Sequence, residues 1–199
     1  MKILAFVDLH ENLQALKRIK EKSKLADLII CAGDISNFSS NLNKFLKELN
    51  NLNKETLIIP GNHEMDNELK KLCSKFKNLK YIHKDFIRKN GFLFLGYGGS
   101  GFSIEDKEFD NLAKKFKKII KKDDKIILIT HAPVYGTAVD YLPWLKEHRG
   151  NKSIRRFIEQ VNPILAVCGH FHENDSKVDW VKNCRIINPG KQGKLLRIK

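Results

Sequence analysis

The chain predicts a mixed α/β fold that begins with a parallel sheet. Three short apolar runs, each the length of one buried strand, occupy residues 2–7, 28–32 and 56–59. Between them, residues 11–22 and 41–51 carry apolar side chains at helical spacing. Because a helix between two strands returns the chain to the same edge of the sheet, this order predicts a βαβαβ unit with parallel strands.

The rest of the chain predicts more strands and helices in a less regular order. Asn90-Gly91, placed between two apolar runs, is a strong signal for a hairpin. The last three apolar runs are separated by turn residues and predict a second, antiparallel sheet. The expected helices lie at 67–77, 106–122 and 153–160, and the expected strands at 81–83, 86–89, 92–95, 125–130, 164–168, 177–181, 185–188 and 195–198.

In two connections, the apolar residues recur at neither helical nor strand spacing. Residues 96–101 hold four glycines but lack the Lys-Ser/Thr ending of a P-loop, so they are weak evidence for phosphate binding. Residues 132–150 contain Tyr141 and Trp144, which either border a substrate pocket or cover apolar surface.

Length and composition predict one domain over residues 1–199 in a cytoplasmic protein. A chain of 199 residues buries about 70% of its unfolded surface without needing a disulfide or a structural metal. The four cysteines show no CxxC spacing and are expected to be reduced and buried. No apolar stretch approaches the roughly 18 residues of a membrane span, and no secretion signal is expected.

The chain is strongly basic, with 37 Lys and Arg against 23 Asp and Glu, for a net charge of +14. The densest lysine run, at 114–122, alternates with apolar residues and indicates the solvated face of an amphipathic helix. The charge favours phosphorylated substrates and leaves a nucleic-acid surface as an alternative. A nucleic-acid surface would make oligonucleotide binding steeply salt-dependent.

Five of the seven histidines directly follow predicted strands or the turns that end them. Because ligands bind at the carboxyl ends of strands in open α/β sheets, these side chains are placed where chemistry usually occurs. Imidazole, carboxylate and amide without thiolate suit Mn²⁺, Fe or Zn²⁺. Eight such groups are enough for two ions that share a carboxylate, with one residue left for proton transfer, so the pattern indicates a two-metal hydrolase. The eight are Asp8, His10, Asp34, Asn62, His63, His131, His170 and His172.

Five ordered motifs within residues 8–190 resemble those of the calcineurin-like metallophosphoesterases, in particular their small bacterial and archaeal members. The motifs are Asp8-Leu9-His10, Gly33-Asp34, Gly61-Asn62-His63-Glu64, His131 and Gly169-His170-Phe171-His172. The resemblance implies a four-layer α/β/β/α sandwich. It also implies a phosphodiesterase or phosphatase reaction in which a hydroxide that bridges two ions attacks phosphorus.

The resemblance further implies a role for each motif residue. The first ion would be held by Asp8, His10, Asp34 and His172, and the second by Asp34, Asn62, His131 and His170. Asp34 would bridge the two ions, Asn62 would also hold phosphoryl oxygens, and His63 would assist the departure of the alcohol. Two divalent ions are therefore expected, with Mn²⁺ favoured and Fe, Zn²⁺ or Ni²⁺ as alternatives.

The chain departs from the larger relatives in one place. Ile35-Ser36-Asn37-Phe38 replaces the D-x-V-D-R-G motif of phosphoprotein phosphatases and supplies no arginine. Other candidates for phosphate contact are Arg149, Arg155 and Arg156, although exposed helix arginines are the favoured explanation. Two alternatives remain, a nuclease or RNA-processing phosphodiesterase and a non-catalytic scaffold with this fold. Substrate and oligomeric state stay open.

Overall fold

A computed structural model describes residues 1–99 and 102–198. It confirms the mixed α/β class, with two parallel-rich sheets, a small two-stranded sheet and five helices in the described ranges. The helices are α1 (Leu13–Ser23), α2 (Leu42–Asn50), α3 (Asp66–Cys73), α4 (Lys107–Ile119) and α5 (Lys152–Val161). The strands are β1 (Lys2–Phe6), β2 (Leu28–Cys31), β3 (Thr56–Ile58), β4 (Leu79–Tyr81), β5 (Asp85–Lys89), β6 (Phe92–Tyr97), β7 (Lys125–Thr130), β8 (Tyr141–Leu142), β9 (Glu147–His148), β10 (Leu165–Val167), β11 (Val178–Val181), β12 (Cys184–Ile187) and β13 (Lys194–Arg197).

The first sheet confirms the predicted βαβαβ unit. Strands β1, β2, β3 and β4 lie side by side in chain order and pair in parallel, with Ile3 opposite Leu28. Every residue of β2 and β3 is buried, as expected for parallel strands that are covered on both faces. Parallel pairing brings the carboxyl ends of β1, β2 and β3 to one edge of the sheet.

The prediction of a second, antiparallel sheet was wrong. The second sheet has the order β11-β12-β10-β7-β6-β5, and its four inner strands pair in parallel. The physical reason is that α4 and α5 carry the chain from β6 to β7 and from β7 to β10, as crossover helices do. Only the edge strands, β5 and β11, pair antiparallel, and β13 pairs antiparallel with β1 in the first sheet.

Several local expectations also change. The strand expected at 81–83 lies at Leu79–Tyr81, and the helix expected to reach residue 77 ends at Cys73. Residues 132–150 are more ordered than expected, because they contain the hairpin formed by β8 and β9. Within the glycine-rich segment, residues 96 and 97 belong to β6, whereas Ser100 and Gly101 lie outside the described residues.

Three apolar clusters hold the sheets and helices together. One joins α1, α2 and α3 to alternate residues of the first sheet, such as Leu4 and Phe6. A second is formed by the two sheets, with Ile3 and Val7 packed among residues that include Phe94 and Ile127. The third joins the second sheet to α4 and α5. We interpret this order of helices, sheet, sheet and helices as the four-layer sandwich.

Two further observations concern the chain as a whole. In the described ranges, no helix combines the length and the apolar composition required to span a membrane. All four cysteines are buried and free, in agreement with the prediction of reduced, buried thiols.

Candidate metal centre

The structure brings together all eight polar residues that the sequence placed after strands. Asp8 and His10 follow β1, Asp34 follows β2, and Asn62 and His63 follow β3 in the first sheet. The second sheet contributes His131 after β7, and His170 and His172 after β10. The carboxyl ends of inner strands from both sheets therefore meet at one site.

Several of these residues have a strained backbone. Asp8, His10, Asp34 and His170 have φ values of 54°, 43°, 53° and 73°, in the left-handed region that residues other than glycine rarely adopt. Such strain persists only where surrounding contacts impose it, and it concentrates at functional sites. The turns after β1, β2 and β10 are thus held in conformations that aim these side chains inward.

Gly33 and Gly61 let the turns after β2 and β3 approach each other. Gly33 has a φ of 100°, and a Cβ there would overlap the backbone of Gly61. A Cβ on Gly61 would overlap the carboxylate of Asp34. Both positions need glycine because no side chain fits between the turns.

A first group of donor atoms comes from Asp8, His10, Asp34 and His172. His10 Nε2 lies 3.1 Å from His172 Nε2 and 3.6 Å from Asp34 Oδ2. His172 Nε2 lies 4.0 Å from Asp8 Oδ1. Asp8 is fixed by its other oxygen, Oδ2, which accepts a hydrogen bond from the backbone N–H of His170.

A second group comes from Asp34, Asn62, His131 and His170. His131 Nε2 lies 3.4 Å from Asp34 Oδ2 and 3.0 Å from Asn62 Oδ1, and His170 Nδ1 lies 2.9 Å from the same Asn62 oxygen. Asp34 Oδ2 is therefore close to a histidine nitrogen of each group.

The donor atoms fit metal ions in their spacing. Ligands bonded to one ion at about 2.1 Å lie roughly 3.0–3.5 Å apart, and most of the distances above fall close to that range. Three sets of His and carboxylate atoms lie mutually within 4.8 Å, and all three contain Asp8, Asp34 or both. Asp8 Oδ1 is buried and has no hydrogen-bond partner among the described residues. Buried polar atoms without partners are costly, so this donor set suits bound cations.

Two of the imidazoles are oriented by neighbouring acceptors. His131 Nδ1 donates to the carbonyl of Ala32, and His10 Nδ1 donates to Asn37 Oδ1, both at 2.9 Å. These hydrogen bonds leave Nε2 of each ring facing the donor groups. Glu11 in turn accepts from the backbone N–H of Asn37. Metal-binding histidines are typically supported in this way.

The electrostatics of the site favour added positive charge. Burial raises the pKa of Asp8 to about 7, because a carboxylate removed from water loses its hydration. Burial by itself would raise the pKa of Asp34, but the hydrogen bond and the ion pair between Asp34 and His131 outweigh burial and lower this pKa. Burial lowers the pKa of His170 to about 3, which keeps that ring neutral at neutral pH. Metal ions bind carboxylates and neutral imidazoles, so His170 is already in the binding form, whereas Asp8 and His131, whose pKa values are raised, would release protons to a bound ion.

Glu64 supports the site in a way that the sequence did not reveal. Its buried carboxylate accepts hydrogen bonds from the backbone N–H groups of Asp34, Ser36 and Gly61, each at 2.9 Å, and from the hydroxyl of Ser36. Glu64 therefore ties the turn that presents Asp34 to the turn that presents Asn62. The only sequence signal for Glu64 is its position directly after Asn62-His63.

An open cavity of about 360 Å³ adjoins the first donor group. Beyond Asp8, His10, His63 and His172, its lining includes Asn12, Asn37, Asp175 and Lys191. Asn12 caps α1 by accepting from the N–H of Ala15. The other three were not identified from the sequence, because they lie in connections whose paths depend on the whole fold.

The suggested arginines contact other partners. Arg149 pairs with Glu147 at 2.6 Å and Arg155 with Glu159 at 2.6 Å, while Arg156 binds acidic residues of the segment around α4. None of the three lines the cavity beside the donor groups. The favoured explanation, exposed helix arginines, holds for Arg156, whereas Arg149 is exposed but lies outside a helix and Arg155 is half-buried. The aromatic residues Tyr141 and Trp144 do not line this cavity either.

Comparisons with known proteins agree with the fold and identify a family. A family model described as calcineurin-like phosphoesterase matches residues 1–174. An uncharacterized protein of Methanocaldococcus jannaschii is 31% identical over 198 residues, which is 95% of this chain and 88% of that protein. Among solved structures, TT1561 of Thermus thermophilus has a TM-score of 0.78 at 17% identity, covering 100% of this chain and 99% of that one. A dimetal phosphatase from Danio rerio has a TM-score of 0.65 at 9% identity, covering 94% and 86%. The chain therefore belongs to the calcineurin-like phosphoesterase family.

Proposed function

We propose that the protein is a dinuclear-metal-dependent phosphoesterase that hydrolyses a small phosphorylated substrate. The observation that carries the proposal is the position of Asp34 Oδ2, 3.6 Å from His10 Nε2 and 3.4 Å from His131 Nε2. One carboxylate oxygen thus belongs to both donor groups, as a ligand that bridges two ions would. The complete donor set also favours an enzyme over a scaffold with this fold.

Each donor group holds one ion in this proposal. Asp8, His10, Asp34 and His172 hold the first, and Asp34, Asn62, His131 and His170 hold the second. The donors are oxygen and nitrogen atoms without thiolate, which suits Mn²⁺ and also admits Fe, Zn²⁺ or Ni²⁺. The buried, free cysteines agree with a reducing compartment, and we place the protein in the cytoplasm.

In this proposal, Asn62 and His63 act on the substrate beside the two ions. Two bound divalent ions would neutralise charge on the phosphoryl group and activate the attacking water. Asn62 directs Oδ1 toward two imidazoles, which leaves its Nδ2 group to donate to a phosphoryl oxygen. His63 is anchored by its backbone N–H to Asp34 Oδ1 at 2.9 Å, and its ring lines the cavity. From there the imidazole donates a proton to the oxygen of the leaving alcohol.

Replacing His63 with Asn is expected to leave the metal content unchanged and to lower kcat by about 10²- to 10⁴-fold, the usual contribution of a general acid. Metal analysis and turnover of bis-p-nitrophenyl phosphate with added Mn²⁺ test this. His148→Asn is the control, because that exposed histidine lies outside the site. If His63→Asn removed metal in proportion to activity, its role would be structural.

The proposed function is tested on phosphomonoesters, cyclic nucleotides, dinucleotides and RNA, each with several divalent metals. We expect hydrolysis of small phosphoesters that disappears with a chelator and returns when metal is added. Hydrolysis confined to RNA would favour the nuclease alternative. Failure to hydrolyse any member with any metal would contradict the proposal.

A further inference from the structure

Phe38 has two unfavourable features that its own packing does not explain. Its side chain is 80% exposed, so the apolar ring lies largely in water. Its φ is 50°, a left-handed conformation that is an outlier for a bulky residue. Strain of this kind costs free energy and is characteristic of ligand contacts and active sites. A small polar residue would serve better at this position if stability alone mattered.

The backbone around Phe38 is tied to the candidate metal centre on both sides. On one side, Asn37 accepts the hydrogen bond that orients His10. On the other side, the N–H of Ser39 donates to the carbonyl of His63 at 3.0 Å. The ring of Phe38 lies 4.4 Å from the ring of His63, centroid to centroid, at an angle of 46°. Phe38 is therefore a positioned ring beside the imidazole assigned to the leaving group.

We propose that Phe38 is a stacking surface for a planar ring carried by the leaving alcohol of the substrate. The proposal rests on the proposed function, because it takes His63 as the residue that protonates that alcohol. A ring joined to the leaving oxygen then extends past His63 toward the exposed face of Phe38. Stacking on an aromatic side chain of this kind changes affinity by roughly tenfold to a hundredfold.

A second exposed ring provides an internal comparison. Phe102 is 77% exposed and packs edge-on against His170, with centroids 4.4 Å apart. It adjoins an imidazole of the second donor group, not the proposed proton donor. Phe38 is therefore expected to select for the ring of the leaving group, and Phe102 is not.

The test uses phosphonate analogues in which a carbon–phosphorus bond prevents hydrolysis. One analogue carries adenosine, one a phenyl ring and one glycerol, and calorimetry measures their binding to the Mn²⁺-loaded full chain. We expect Phe38→Ala to weaken the adenosine or phenyl analogue about tenfold and to change the glycerol analogue less than twofold. Phe38→Leu, which keeps apolar bulk without a flat ring, should lose most of the same affinity. Comparing the adenosine analogue with the phenyl analogue shows whether the site prefers a nucleoside or a simple aryl group as the leaving group.

Two controls separate stacking from structural effects. Trp180→Ala removes another exposed ring, on β11 outside the site, and should leave all affinities unchanged. Phe38→Asn should keep or raise the melting temperature, because Asn tolerates a positive φ, while it loses ring-selective binding.

Equal loss of affinity for all three analogues in Phe38→Ala would overturn the proposal. It would also be overturned if Phe102→Ala removed the preference for ring-bearing analogues and Phe38→Ala did not. A protein that hydrolyses phosphoesters but shows no preference for rings would refute the stacking surface and leave the proposed function intact. Ring-selective binding without hydrolysis by any metal would refute the proposed function and support the stacking surface.

Discussion

Replacing Asp34 with Ala is expected to lower kcat/KM for bis-p-nitrophenyl phosphate by at least about 10³-fold in the presence of Mn²⁺. Asp34 Oδ2 belongs to both donor groups, so its loss weakens both proposed metal positions at once. Metal ions contribute several kcal/mol of transition-state stabilisation, and each 1.4 kcal/mol corresponds to a factor of ten. Bound metal per chain, measured by mass spectrometry, should fall together with activity.

Two variants separate ligation from folding. Asp34→Asn keeps the size of the side chain and an oxygen that accepts from the N–H of His63, so it should fold like the wild type and still lose metal. Asp85→Asn changes an exposed carboxylate on β5 and should alter neither metal content nor rate. Undiminished turnover in Asp34→Ala would refute the assignment of Asp34.

Replacing Glu64 with Ala is expected to lower the free energy of unfolding by about 3 kcal/mol or more. The backbone N–H groups of Asp34, Ser36 and Gly61 would lose their acceptor in a buried environment, at roughly 1–3 kcal/mol for each group left without one. For a chain of this length, 3 kcal/mol corresponds to a fall in melting temperature of about 6–12 °C. Differential scanning calorimetry measures the change.

Glu64→Ala should also weaken metal binding about 10- to 100-fold, because the turn that presents Asp34 loses its anchor. Glu64→Gln retains one acceptor oxygen and should give intermediate losses of stability and metal affinity. The control is Glu68→Ala, which changes an exposed glutamate on α3 close in sequence. A melting temperature for Glu64→Ala equal to that of the control would contradict the anchoring role.

The first half of the fold was predictable because apolar residues are continuous in its strands and recur at helical spacing in its helices. Fully apolar runs such as residues 28–32 alternate with amphipathic helices, and crossover helices leave parallel pairing as the simple solution. In the second half of the chain, α4 and α5 are crossover helices of the same kind. Short runs near the end of the chain instead suggested hairpins, although only β11 and β12 pair that way. The pairing of β13 with β1 joins the two ends of the described chain, which no local pattern reveals.

The proximity of the site residues was predictable for the same physical reason. Polar side chains that directly follow neighbouring parallel strands are carried to one edge of a sheet, so Asp8 and Asp34 were expected to meet. His131 joins them from the second sheet, and its contact with Asp34 depends on how the two sheets pack together. The role of Glu64 was not predictable, because two of its three backbone partners, Asp34 and Ser36, lie 30 and 28 residues away in the sequence. The exposure and the left-handed backbone of Phe38 are likewise set by tertiary contacts.

Anomalous diffraction from crystals soaked in Mn²⁺ would locate the two cations that are proposed to share the carboxylate of Asp34. We expect two anomalous peaks about 3.5–4 Å apart, one beside His10 and His172 and the other beside His131 and Asn62, with Asp34 between them. A single peak, or peaks away from Asp34, would contradict this arrangement.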